Sequence, residues 1–95
     1  MDDLRNKIDA IDDEMLELFL KRMQIVKQIA EEKKRKGLAI YNPDRESEVL
    51  SRLTNKIDDE ILSGLYPKFI VNVMDLAKLY QELINKEWCL WSLLT

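Results

Sequence analysis

The chain has 95 residues, 46% hydrophobic and 35% charged, with a net charge of −3, which fits one globular domain and argues against disorder or nucleic-acid binding. It has no histidine and one cysteine, Cys89, so the usual metal ligand, the usual neutral-pH base and an internal disulfide are all excluded. Any catalysis must come from carboxylates, cations, amides and positioning.

Two glycines and two prolines leave few sites for tight turns and predict a few long helices. The first runs from about Asp3 to Lys36. Its apolar positions, Leu4, Ile8, Ile11, Met15, Leu18, Ile25 and Ile29, alternate four and three apart, as on a heptad seam. A helix of that length spans about 50 Å. That is too long for a compact monomer of this size, so part of the seam is expected to pack on another chain. Gly37 supplies a stop, with Lys33, Lys34, Arg35 and Lys36 at the negative helix end.

Leu38 to Tyr41 reads as a connection. Asn42-Pro43-Asp44 reads as an N-cap, a first-turn proline and a first-turn acid. Val49, Leu50, Leu53 and Ile57 give the second helix an apolar face, and Asp58-Asp59 can cap the stretch after it. Gly64 and Pro67 are expected to limit the regularity of that stretch. From Pro67 onward, Phe69, Ile70, Val73, Leu76, Tyr80, Leu83 and Ile84 recur at helical spacing. The uncharged tail 88–95 is either a buried extension of the third helix or a poorly ordered end. No apolar run reaches 18 residues, and Met1-Asp2-Asp3 is unlike a signal peptide. The expectation is a cytoplasmic protein with no membrane partner.

Continuing the seam from Leu18 lands on Arg22. A guanidinium on an apolar seam needs a partner, because an unpaired buried charge costs several kcal/mol. That partner is either an interhelical carboxylate or an anionic ligand. Lys33 lies eleven residues on, about 16 Å along the axis and within roughly 20° of the same face. It either brackets a small dianion with Arg22 or belongs to a solvated basic run. Arg5 lies about 25 Å from Arg22 and about 100° around the helix. It is either a surface residue or reaches a ligand on a neighbouring copy.

These residues resemble the all-helical chorismate mutases. The likeness covers residues 1–87 and rests on Leu4-Arg5-Asn6-Lys7-Ile8-Asp9-Ala10-Ile11-Asp12, Arg22, Lys33, Asn42-Pro43-Asp44-Arg45-Glu46 and Gln81. It implies an all-α fold of three helices, one long and two shorter, intertwined as a homodimer. It implies that Arg5 enters the site from the partner subunit to bind a substrate carboxylate, and that Arg22 binds a carboxylate within its own subunit. Lys33 and Gln81 would be the donors to the ether oxygen of the breaking bond. Glu46 would accept from the ring hydroxyl, helped by backbone at Asn42, with Arg45 completing the polar shell. Asn42 stands where relatives often have aspartate, and Ala77 where they often have a small polar residue.

The implied reaction rearranges chorismate to prephenate for phenylalanine and tyrosine biosynthesis. It needs no nucleophile, metal, cofactor or proton transfer, only a folded dicarboxylate conformer and stabilised charge on the ether oxygen. An isochorismate-pyruvate lyase of the same fold, or a non-catalytic helical dimerisation or regulatory module, are the other readings. The Asn42-to-Glu46 segment favours the mutase over the lyase. The intact cation set argues against a mere dimerisation module.

Overall fold

The structure is a computed structural model that describes residues 1–94, with side chains through Lys86. Three helices succeed one another: α1 (Asp2–Lys36), α2 (Pro43–Thr54) and α3 (Glu60–Leu94). There is no strand among the described residues. The two readings of the apolar tail fall on side chains outside the described residues.

The sequence dictates each boundary. α1 opens on Asp2 and Asp3 and closes on Lys33 to Lys36, charges that complement the helix dipole at both ends. Gly37 ends it in the left-handed conformation, φ 69°, where a side chain would be strained. There the Gly37 N–H donates to Lys34 O at 3.3 Å and the Leu38 N–H to Lys33 O at 2.8 Å, satisfying carbonyls the helix leaves open. At the start of α2, the Asn42 side chain accepts from the Arg45 N–H at 3.1 Å, with Pro43 in the first helical position. Asp59 caps α3 by accepting from the Leu62 N–H at 2.9 Å. Ile57 lies past the end of α2, in the turn that leads to Asp59.

Two expectations need correcting. The third helix is not short: it spans 35 residues, the same as α1. It also starts before Gly64 and Pro67 and runs through both. Pro67 removes one backbone donor, the bond that Ser63 O would have received. Strong capping at Asp59 and the packing of the later turns outweigh that single loss.

α3 packs against both α1 and α2. The core is Val26 and Ala30 from α1 against Ile70, Met74 and Ala77 from α3, with Gln81 the buried polar residue at its end. Those α3 positions are four, three and four apart, one face of a helix. Ala30 is 2% exposed, and the small alanines at 30 and 77 leave the helices room to approach. This is a small core for a chain of 95 residues. The heptad seam of α1 is not in it. Leu4, Ile8, Ile11, Met15, Leu18, Ile25 and Ile29 are all exposed in the single chain. The radius of gyration is 17.0 Å, against about 12 Å for a compact domain of this length. Among the described residues no helix is long and apolar enough to cross a membrane.

Candidate active site

A cavity of about 350 Å³ lies between the C-terminal half of α1, the loop after it, the first turns of α2 and the middle of α3. Its size suits a small molecule. Three helices contribute because three faces converge there. Arg22, Val26, Ile29 and Lys33 lie three or four residues apart on one side of α1. Met74, Ala77 and Gln81 do the same on α3. Asn42, Arg45 and Glu46 belong to the cap and first turn of α2.

Arg22 is half-buried, and its Nη1 has no hydrogen-bond partner. Among the described residues no interhelical carboxylate pairs with it, so that nitrogen has no protein partner. Lys33 is not one more solvated charge at the helix end. Its ammonium donates to Ile40 O at 2.6 Å, which ties the loop to α1 and leaves two further donors. Neighbouring Arg35 and Lys36 instead pair with Glu32 on the surface.

Gln81 is 5% exposed. Its Nε2 donates to Ala77 O at 3.3 Å, while its Oε1 is buried without a partner. A buried amide half-satisfied in this way is unusual unless a ligand or water completes it. Ala77 is buried beside it and offers no polar side-chain atom. Asn42 spends its side-chain oxygen on the α2 cap, so its residue type is explained by capping. Arg45 lines the cavity, but its guanidinium pairs with Glu48 at 3.0 Å on the outer side of α2. Arg5 is exposed in the first turn of α1 and is not part of this cavity wall.

One charged wall residue escaped the sequence reading, beside the apolar Val26 and Met74. Lys78 sits between Ala77 and Gln81 and reaches Glu46 across the interface, Nζ to Oε2 at 3.0 Å. The signal available was its place three residues before Gln81, a neighbouring position on the helix. Its bond to Glu46 chiefly raises the ammonium above the usual lysine value. Among the described residues, Arg22, Lys33, Arg45 and Lys78 line the cavity with a single carboxylate, Glu46. Arg45 is paired outside with Glu48 and Lys78 with Glu46, which leaves Arg22 and Lys33 as its uncompensated cations. Such a site attracts a small anion with more than one negative charge. It offers donors at Lys33 and Gln81 and an acceptor at Glu46. Among the described residues no serine, threonine or cysteine lines it as a nucleophile.

The family described as chorismate mutase type II matches residues 4–86. A bifunctional chorismate mutase/prephenate dehydratase of Aquifex aeolicus is 32% identical over 83 residues, covering 87% of this chain and 21% of that protein. A T-protein of Enterobacter agglomerans is 38% identical over 71 residues, 75% of this chain and 18% of its own. A chorismate mutase of Methanocaldococcus jannaschii is 31% identical over 85 residues, 84% of this chain and 86% of that protein. The chain thus spans about a fifth of the first two relatives and most of the third.

Proposed function

Because the chain belongs to the chorismate mutase type II family, we propose that it rearranges chorismate to prephenate in the cavity between its three helices. The working form is a homodimer. Each site draws Arg22, Lys33, Asn42, Arg45, Glu46, Ala77 and Gln81 from one chain and is completed by Arg5 of the partner subunit. Prephenate formed this way feeds phenylalanine and tyrosine synthesis, in the cytoplasm.

The reaction breaks a carbon–oxygen bond as a carbon–carbon bond forms within one molecule, so no atom leaves and no proton need move. The protein's first task is to hold the flexible dicarboxylate in its folded conformer. Arg22 and the partner's Arg5 grip the two carboxylates, and Glu46 accepts from the ring hydroxyl at the far end. Fixing those three points converts floppy substrate into reactive geometry before the barrier is climbed. The second task is electrostatic. Negative charge grows on the ether oxygen as its bond lengthens, and donors already aimed there cost no reorganisation. Lys33 on α1 and Gln81 on α3 both line the cavity and would supply those donors.

The observation that carries this reading is the incomplete polar wall. Arg22, whose Nη1 has no partner, and Gln81, whose Nε2 spends only one of its two N–H groups on Ala77 O, line the same cavity as Lys33 and Glu46. A native site leaves such groups open where a ligand closes them. The test is direct: add the purified chain to chorismate and, separately, to isochorismate, follow the loss of absorbance and identify the products. Prephenate supports the proposal. Chorismate left unchanged, or pyruvate released from isochorismate instead, overturns it.

A further inference from the structure

Among the described residues Glu46 is the one carboxylate on the cavity wall, and its own helix does little to hold it. α2 has only 12 residues and none of them is buried. Glu46 sits in its first turn, next to the loop, where a short helix is most easily displaced. What fastens that turn across the interface is Lys78 on α3. Its Nζ lies 3.0 Å from Glu46 Oε2 and 3.3 Å from Oε1. The ammonium is itself held from two further sides. Asp75, one turn earlier on α3, pairs with it at 3.2 Å. The Tyr41 ring, from the loop before α2, covers it at 4.6 Å from the centroid, close enough for a cation–π attraction. One cation therefore joins α3, α2 and the loop at the point where the acceptor stands.

We infer that Lys78 is a positioning residue of this site: held by Asp75 and Tyr41, its ammonium fixes the Glu46 carboxylate at the cavity wall, ready to accept from the substrate's ring hydroxyl. The inference rests on the mutase reading, which gives Glu46 that partner. A carboxylate has about four lone-pair positions, so the ammonium occupies part of its capacity and leaves the rest for the hydroxyl. The pairing is a device of this particular wall: it joins residues 32 apart in sequence and acts through Glu46 without touching the reacting bond.

The experiment is a double-mutant cycle on the full chain, with kcat and KM for chorismate measured separately. Lys78→Met removes the charge while keeping much of the length. It should lower kcat/KM about tenfold, the scale of one hydrogen bond to a charged group. The loss should appear mainly in KM, because the hydroxyl is held alike before and during the reaction. Lys78→Arg should recover to within about threefold, since a guanidinium also pairs with a carboxylate. In a Glu46→Gln background, Lys78→Met should cost less than about twofold, because there is no carboxylate left to position. Lys78→Gln serves in place of Lys78→Met if circular dichroism shows that the latter does not fold. An equal loss in both backgrounds, or no loss in either, overturns the inference while leaving the mutase reading intact. A wild-type chain that does not turn over chorismate overturns both.

Discussion

α1 is one continuous helix whose halves meet different surroundings. From Asp2 to Leu20 every residue is exposed, including Leu4, Ile8, Ile11, Met15, Leu16, Leu18, Phe19 and Leu20. From Lys21 to Lys36 the helix buries Val26 and Ala30 on α3 and sets Arg22 and Lys33 on the cavity wall. The second half has its work defined inside the chain. The first half carries more apolar residues, and none of them is buried there. A stripe of that kind exceeds the scattered exposed leucines of an ordinary surface. Beside it runs an apolar groove of about 610 Å³, flanked by Met15, Phe19, Ile70 and Val73, with Arg22 at its edge. Arg22 thus borders both the cavity and the groove. The difference teaches that one helix can be scaffold for its own chain along one half and leave an apolar stripe exposed along the other, with Arg22 at the junction.

The comparison breaks first at Lys33. If the second half supplies the ether-oxygen donor, Lys33→Ala should lower kcat/KM by at least about a hundredfold, or ~2.7 kcal/mol. Near-normal turnover in a folded variant would remove Lys33 from the chemistry and leave the second half a mere packing surface.

The first half is tested by Ile11, which is 51% exposed in the single chain. A glutamate there would be harmless on a true surface. On a two-fold interface it buries a carboxylate at a cost of several kcal/mol per ion, twice by symmetry. Ile11→Glu should sediment as a monomer, and wild type should melt at a temperature that rises with protein concentration. A wild-type chain that melts independently of concentration, or an Ile11→Glu chain that stays dimeric, would show that this stripe serves no second copy.

Mixing sharpens the contrast between what each half gives and to whom. Arg5→Ala and Lys33→Ala dimers should both be nearly inactive. Refolded together in equal amounts, they should form mixed dimers in half of the pairings, each with one site carrying both defects and one carrying none. Activity should then return to about a quarter of wild type. If Arg5 served its own chain's site, the mixture would remain as inactive as its parents despite measured subunit exchange.

Much of the fold is legible in the residues alone, and the misses have physical causes. The α1 stop at Gly37 and the Asn42-Pro43 start of α2 are local chemistry, complete within a few residues, and both lie where the residue pattern puts them. The placing of Arg22, Lys33, Asn42, Arg45, Glu46, Ala77 and Gln81 on one cavity needs helix periodicity and the family likeness together. Periodicity alone marks Leu4 through Ile29 as apolar but cannot say which chain covers them. The face that packs inside the chain, Val26 and Ala30, lies beside that seam. Pro67 misleads because a propensity of about 3 kcal/mol is outweighed once neighbouring turns are packed. Lys78 carries only a faint mark in the sequence, its place three residues before Gln81, because its meaning depends on Glu46, a residue brought near only by folding.

The smallest expected effect is that of pH, and it bears on both halves at once. Two resolved shifts bracket the neutral range. Glu32 lies below its ordinary 4.5, chiefly through its hydrogen bond from Lys36. A carboxyl lowered on folding adds stability above its unfolded value and loses it as pH falls through the folded one, so this contribution fades only in acid. Lys78 lies above its ordinary 10.5, chiefly through Glu46. A lysine raised on folding adds stability below its unfolded value and loses it as pH climbs through the folded one, so this contribution fades only in alkali. The chain has no histidine to titrate between them, and the reaction transfers no proton. kcat/KM should therefore vary by less than about twofold from pH 6 to 9. The ratio of wild-type to Arg5→Ala activity should be equally flat, because a guanidinium is a permanent cation across this range. A steep limb centred near neutrality would mean that a carboxyl takes part as an acid, and the positioning mechanism would have to give way to one with proton transfer.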